Sequence, residues 1–336
     1  MTAPNLKTSY LGFELKNPLV VSSCPLTGDI NSARQLEEFG AAAIVLPSLF
    51  QEQIEHEELE LGRLHDFGAE SFHEASGYFP QLQTYNHGPE GYLQLVEGTR
   101  GALTIPVLAS LNGVSAEGWQ RYAKQIESAG ASGIELNLSY VATDINMSAG
   151  QVEALYVEQV EAVAQAVEIP VAVKIGAHLS APANFAKKIH EAGASGLVIF
   201  NRFLEPDIEL ETMQVVPRLE LSHPAEMRMA LRWIAILSGK LPLSLASTGG
   251  VHGSRDAVKL LLAGADSVMV ASGVLRGGMR FLRNCLQELQ DWLVENEYES
   301  IEQMKGSMNH GHCPDPAGYE RLNYMRALQL FTTQQS

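Results

Sequence analysis

The sequence predicts an α/β fold, a (β/α)8 TIM barrel, and two alternating patterns predict it. Four small-residue runs each feed a short apolar strand: Gly40-Ala41-Ala42-Ala43-Ile44, Ala129-Gly130-Ala131-Ser132-Gly133-Ile134, Ala192-Gly193-Ala194-Ser195-Gly196-Leu197 and Ala263-Gly264-Ala265-Asp266-Ser267-Val268. Four proline-led strands alternate with them: Pro18-Leu19-Val20-Val21, Pro106-Val107-Leu108-Ala109, Pro170-Val171-Ala172-Val173 and Pro242-Leu243-Ser244-Leu245. Eight strands result, each one helical segment from the next. Repeated strand-helix units with right-handed crossovers close into a barrel, which carries its chemistry where the strands end.

Taken in order, residues 6–13 read as a hairpin closing the barrel floor, and strand one follows at 19–23. Helix one starts at Asp29, capped by Asp29 or Asn31, and presents Leu36 and Phe39 before Gly40 ends it. Strand two is placed at 42–47. After it comes a long insertion, 51–87, opening with Glu52, Glu55, Glu57, Glu58 and Glu60. At the carboxyl end of a strand, such an excursion reads as a binding loop or lid. Helix two spans 89–101, strand three 106–111, and Ser115 caps a third helix through Trp119, Tyr122 and Ile126. Strand four is 134–139. The fourth helix, 151–167, spaces Val152, Leu155, Tyr156, Val160 and Val163 on one face.

Strand five is 171–175 and includes Lys174; helix five is 183–192 and strand six 197–201. A second insertion, 202–223, is polar and acidic, with Pro206 and Pro217 read as breakers. Both insertions therefore belong to the barrel mouth. Helix six covers 224–238, strand seven 243–246 and strand eight 268–270, with residues 252–256 opening helix seven. Residues 306–316 read as loop and 317–331 as a terminal helix. The division is a barrel over 1–305 and a tail over 306–336.

The bounds are plain. A hydrophobic share of 46% and a charged share of 18% suit a globular chain with a large core. A net charge of −16 speaks against nucleic acid and anionic membrane as partners, because both are met by basic patches. Cys24, Cys285 and Cys313 are too few and too scattered for a disulfide scaffold, which fits a reducing cytosol. No CxxC pair occurs, the N-terminus has no apolar signal core, and no apolar run reaches spanning length. The expectation is a soluble cytoplasmic protein.

Two glycine-bearing loops follow adjacent strands: Ser247-Thr248-Gly249-Gly250 after strand seven and Ala271-Ser272-Gly273 after strand eight. Glycines let backbone N–H groups approach a phosphate closely, and the helix N-termini that follow favour an anion. Barrels bind phosphate at this place. Gly249, Gly250, Ser272 and Gly273 are the candidate phosphate residues; the bland alternative is a pair of tight turns.

Together with Asn17-Pro18-Leu19-Val20-Val21-Ser22-Ser23, Gly133-Ile134-Glu135-Leu136-Asn137-Leu138-Ser139, Val173-Lys174 and Asn201, these loops resemble the class 1 dihydroorotate dehydrogenases and their relatives. The likeness runs over about 6–295. It implies FMN as cofactor, hydride transfer at a CH–CH group, a small-molecule substrate, a homodimer and a place in pyrimidine biosynthesis. It further implies that Gly249, Gly250, Ser272 and Gly273 hold the FMN phosphate, that Lys174, Ser22 and Ser23 meet the ring, and that Asn137 and Asn201 meet substrate.

The departures from that pattern are specific. Tyr140 stands where the family has a catalytic cysteine or serine, and Tyr140-Val141-Ala142 replaces the usual Cys-Pro-Asn. Val45-Leu46-Pro47-Ser48 carries no lysine where the family has one on strand two, and Ala75 replaces an asparagine in the Asn-x-x-Gly-x-Pro loop. Losing such groups costs discrimination for a planar polar substrate by orders of magnitude. Dihydroorotate is therefore a doubtful substrate.

Several roles stay open on the residues alone. Lys174 is a charge beside flavin, a Schiff-base nucleophile of a phosphate-binding lyase, or the buried partner of Glu135 on the same inward face. Tyr140 is a catalytic proton donor or an apolar lid over the ring; with an ordinary pKa of about 10 it is a poor proton acceptor. Cys24 is a packing residue or a nucleophile. No metal is expected, because His310-Gly311-His312-Cys313 cannot easily wrap one ion tetrahedrally. An alternative to the enzyme is a flavin-carrying subunit that passes electrons to a partner protein.

Overall fold

The computed structural model describes residues 3–51, 88–113, 116–202 and 205–334. A hairpin of β1 (Thr8–Tyr10) and β2 (Phe13–Leu15) leads into β3 (Leu19–Val21), β4 (Ala43–Phe50), β5 (Val107–Asn112), β6 (Gly133–Leu138), β7 (Val171–Gly176) and β8 (Gly196–Asn201). A two-stranded ribbon, β9 (Pro206–Glu209) and β10 (Gln214–Pro217), interrupts the series before β11 (Ser244–Thr248) and β12 (Ser267–Val270). Strands β3 to β8, β11 and β12 pair in parallel and close a barrel, the predicted (β/α)8 architecture.

The two sequence patterns have separate physical causes. Gly40, Gly130, Gly193 and Gly264 all have positive φ, between +90° and +114°, and each ends the helix before it, where a side chain would be strained. Gly264, for example, donates its N–H to Leu260 O and Leu261 O. The apolar runs alternate faces as strands must. Leu19, Ile44, Val107, Ile134, Val171 and Leu197 point outward beneath the helices, whereas Val20, Val45, Leu108, Ala172, Val198 and Met269 fill the interior. The same parity turns Glu135, Asn137 and Lys174 inward.

The floor is closed as expected. Leu11 and Gly12 both have positive φ, 52° and 82°, the backbone of a tight two-residue hairpin. Tyr10, Leu11 and Leu15 pack into the inner cluster from below, and Thr8 Oγ1 donates to Asp266 O at 2.8 Å. An isolated hairpin is marginal in water, so this one holds by that burial.

Some boundaries differ from expectation. β4 runs through Pro47 to Phe50 because its register to β5 shifts between Val45 and Ser48, and an irregularity there frees the proline from donating to the ladder. Pro206 and Pro217 are not breakers; they pair as the outermost residues of the ribbon, where a missing N–H costs nothing. Ser148 opens the fourth helix (Ala149–Ala166) two residues early through a capping box with Gln151. A 3₁₀ turn, Pro224–Glu226, precedes the sixth helix (Met227–Leu237), and another, Pro316–Tyr319, delays the terminal helix to Leu322–Gln334. The readings placed on residues 52–87 and on Ser115 lie outside the described residues.

Residues 306–310 are tied to the barrel by backbone bonds from Gly306 to Leu261, Met308 to Leu262 and His310 to Ala235. His310 meets Glu320 at 2.8 Å and His312 Nδ1 meets Gly306 O at 3.1 Å. Among the described residues no helix is long and apolar enough to cross a membrane. Leu15, 1% exposed, is the test of the floor. Leu15→Ala should lower unfolding free energy by about 2–5 kcal/mol in urea titrations; a loss below about 1 kcal/mol would mean that the barrel does not need its plug.

Candidate active site

Inside the barrel, register sets the site. Asn137 on β6 lies beside Lys174 on β7, and Glu135, two residues deeper, lies beside Ala172. The Lys174 ammonium donates to Glu135 Oε1 at 3.1 Å; Lys174 is 7% exposed and Glu135 wholly buried. Removing one partner would leave an uncompensated buried charge, whereas the pair is tolerated because each neutralises the other. Glu135 Oε2 has no hydrogen-bond partner, and neither has the hydroxyl of Tyr10 from the floor hairpin. Burial, then the negative charges of Glu135 and Asp266, push the Tyr10 phenol well above its ordinary value, so it stays protonated.

Above the pair the ends of β5, β6 and β8 carry amides, of which Asn201 lines the Lys174 cavity and Asn112 and Asn137 do not. Asn201 Nδ2 donates to Asn137 Oδ1 at 2.9 Å, joining the ends of β6 and β8. Asn112, at the end of β5, is register partner to Asn137 and accepts from Ser139 Oγ at 2.6 Å. Asn112 was missed from sequence; its signal was parity, since Leu108, Ser110 and Asn112 share the inward face. Ser110 in turn meets Ser48 Oγ at 2.8 Å.

A cavity of about 460 Å³ brings together most of the predicted residues: Ser22, Ser23, Lys174, Asn201, Gly249, Gly250 and Ser272 all line it. Gly249 and Gly250 have φ of +87° and +72°; a Cβ on Gly250 would lie 2.5 Å from Met227 N, and one on Gly249 would meet nothing within 4 Å. Gly273 does not line this cavity. A Cβ there would lie 2.7 Å from the Phe281 ring and 2.8 Å from Val251 O, so this glycine serves close packing. The loops also have an unforeseen neighbour in Ser222, from the second insertion. Ser222 Oγ accepts from Gly250 N–H at 3.1 Å, its own N–H donates to Ser272 Oγ at 3.0 Å, and its carbonyl meets His252 Nε2 at 2.8 Å. No local pattern in the sequence could show that residue 222 folds back onto the loop at 250.

Tyr140 lies elsewhere. It lines a separate cavity of about 370 Å³ with Val152, Tyr156, His178, Leu179 and Phe185. Its backbone is clamped there: Tyr140 N–H donates to Tyr156 Oη at 3.0 Å, and Tyr156 Oη donates to Tyr140 O at 3.3 Å. A third chamber, about 550 Å³, adjoins the Lys174 cavity and shares Phe200, Asn201, Thr248 and Gly249 with it. Its charged wall is largely self-paired, Arg202 with Glu226 at 3.1 Å and Arg218 with Asp207 at 2.6 Å. Among the described residues no cluster of His, Cys, Asp and Glu could hold a metal ion.

Comparison with known proteins now bears on this geometry. A family profile described as dihydroorotate dehydrogenase matches residues 62–293. The chain is 28% identical to a protein of Aeropyrum pernix named for dihydroorotate dehydrogenase A (fumarate), covering 90% of this chain and 97% of that one. It is 25% identical to the dihydroorotate dehydrogenase B (NAD(+)) catalytic subunit of Methanothermobacter thermautotrophicus, over the same shares, and 26% identical to that of Shouchella clausii, again over 90% and 97%. The chain belongs to the dihydroorotate dehydrogenase family, and is thereby an FMN-dependent oxidoreductase acting on CH–CH groups.

Cys24 lines the Lys174 cavity but is only 5% exposed, and burial raises its thiol. Cys285 is pushed up to about 12 by burial and by Glu288 and Asp256. A thiol raised this far holds almost no thiolate at pH 8, about one part in ten thousand for Cys285. Native protein should therefore leave both cysteines unlabelled by Ellman's reagent at pH 8 over times that label the urea-unfolded chain completely. Fast native labelling of Cys24 would mark it as a nucleophile instead.

Proposed function

We propose that the chain transfers hydride between FMN in the Lys174 cavity and a small planar substrate held at the Asn137–Asn201 amide pair, and that dihydroorotate is a poor substrate for it. The observation that carries this reading is a single cavity lined at once by Lys174, Ser22 and Ser23 and by Gly249, Gly250 and Ser272. Those are the residues that the family resemblance assigns to the two ends of FMN. The donor set fits. Lys174 offers a cation, Ser22 and Ser23 offer hydroxyls, and the open side of Gly249 leaves backbone accessible to a phosphate. The volume also lies within the range of small-molecule sites, about 300–1,000 Å³.

Bound FMN supplies the two-electron chemistry. The protein's part is to position and to stabilise charge. Lys174, ion-paired with Glu135, opposes negative charge developing beside it. Asn137 and Asn201, already bonded to each other, leave Asn137 Nδ2 and Asn201 Oδ1 as a donor and an acceptor for the substrate. Asn112 adds a third amide at the same rim.

The proton that leaves the substrate carbon needs an acceptor. Tyr140 occupies the family's position for that group, and a phenol is a poor proton acceptor there. Its lining of a separate cavity supports the same conclusion. The ion pair with Glu135 likewise disfavours a Schiff-base lyase, whose lysine must be a neutral amine. Relatives named as catalytic subunits favour a second reading, in which electrons leave to a partner protein; activity of the purified chain with an artificial acceptor would decide between the two.

Purified protein should be yellow, and Lys174→Met should lose FMN affinity by about tenfold or more in a fluorescence titration. A colourless preparation that ignores added FMN would overturn the reading. In an anaerobic cuvette, dihydroorotate should bleach the bound flavin at least about a hundredfold more slowly than general-base-assisted transfer would allow. Bleaching within the mixing time would restore dihydroorotate as the substrate.

A further inference from the structure

We infer that Glu135 is a positioning residue that sets the reduction potential of the bound cofactor, by cancelling part of the Lys174 charge from inside the barrel. The inference rests on the reading of the Lys174 cavity as the FMN site.

Three observations lead to it. Glu135 is wholly buried, and among the described residues its polar contact is the 3.1 Å bond to Lys174. Its second oxygen has no partner, so the carboxylate carries a desolvation cost that hydrogen bonding does not offset. Its inward register neighbours are Ala172 on β7 and Ser110 on β5, and the Ser110 hydroxyl meets Ser48 Oγ at 2.8 Å. A lysine at a strand end can reach solvent or ligand without such a partner, and a well-packed apolar residue would cost the core less than a half-satisfied carboxylate. What the carboxylate adds is negative charge fixed behind the ammonium, on the side away from the cavity.

The sign follows from charge alone. A cation beside the cofactor favours its reduced, more negative form and raises the potential; an anion behind that cation weakens the effect and lowers it. Tyr10, beneath Glu135, is protonated and adds no charge. Glu135→Gln keeps size and hydrogen bonding to Lys174 while removing the negative charge. It should therefore raise the potential.

The test is the midpoint potential of the FMN-loaded protein against a reference dye, for the parent, Glu135→Gln, Glu135→Asp, Lys174→Met and the Lys174→Met/Glu135→Gln double variant. Glu135→Gln should favour the reduced form about tenfold, which is 29.6 mV for a two-electron couple. Glu135→Asp, which keeps the charge but withdraws it by one methylene, should shift about threefold in the same direction. In the Lys174→Met background the Gln exchange should shift less than about twofold, because a buried carboxylate without its cation takes up a proton. An FMN-loaded Glu135→Gln protein with unchanged or lowered potential would overturn the inference. If that variant does not fold, the same result for Glu135→Asp overturns it. Parent protein that binds no FMN would instead overturn the reading of the cavity.

Discussion

The ion pair between Lys174 and Glu135 is the constraint around which the barrel interior is arranged. Two opposite charges 3.1 Å apart, one fully buried, hold only because strand parity turns both inward from neighbouring strands and burial keeps water out. Below the pair the interior is apolar and ends on the floor hairpin; above it the residues become serines, asparagines and glycines. The pair is the boundary between a core that stabilises and a mouth that binds. This matches the general division of such barrels, in which strand ends carry chemistry and the opposite face carries stability.

The mouth owes its form to two kinds of local rule. Asn112, Asn137 and Lys174 are neighbours because parallel strands in register place residues of the same parity side by side. Gly249 and Gly250 adopt positive φ, and at Gly250 no larger residue would fit without displacing Met227 or His223. The second insertion adds a constraint that neither rule supplies. Ser222 bonds both phosphate-type loops at once, so the segment that walls the cavity is fastened to the loops that line it. Cavity shape and loop conformation are coupled through one serine.

Much of this was legible in the chain because it rests on periodicity. The small-residue runs are helix stops with left-handed glycines, and the proline-led runs are strands, so eight units could be counted and Glu135 placed on the face of Asn137 by parity. Glu135 and Lys174 were assignable to one face for the same reason. What escaped notice depends on contacts between distant segments. Ser222 reaches Gly250 across 28 positions, Asn112 becomes a mouth residue only once β5 stands beside β6, and the ribbon prolines look like breakers until they pair with each other. Gly273 has a second reason to be glycine. Its place in a glycine-bearing loop suggested a ligand, while packing against Phe281 and Val251 already requires it to be glycine.

The departure at Tyr140 can be followed through the same geometry. Leu138, before it, is buried on the outward face of β6, and the chain leaves the barrel at Ser139, whose hydroxyl is held by Asn112. The next peptide is gripped at both N–H and C=O by Tyr156 from the following helix. A backbone held at both groups has little freedom to swing its side chain inward over the mouth. A phenol at this position thus stands with Val152, Tyr156 and Phe185 rather than beside Lys174. The charge and glycine framework of the mouth is therefore structurally separate from the position of Tyr140. Lys174, Gly249 and Gly250 line one cavity, while Tyr140 is packed into a different wall.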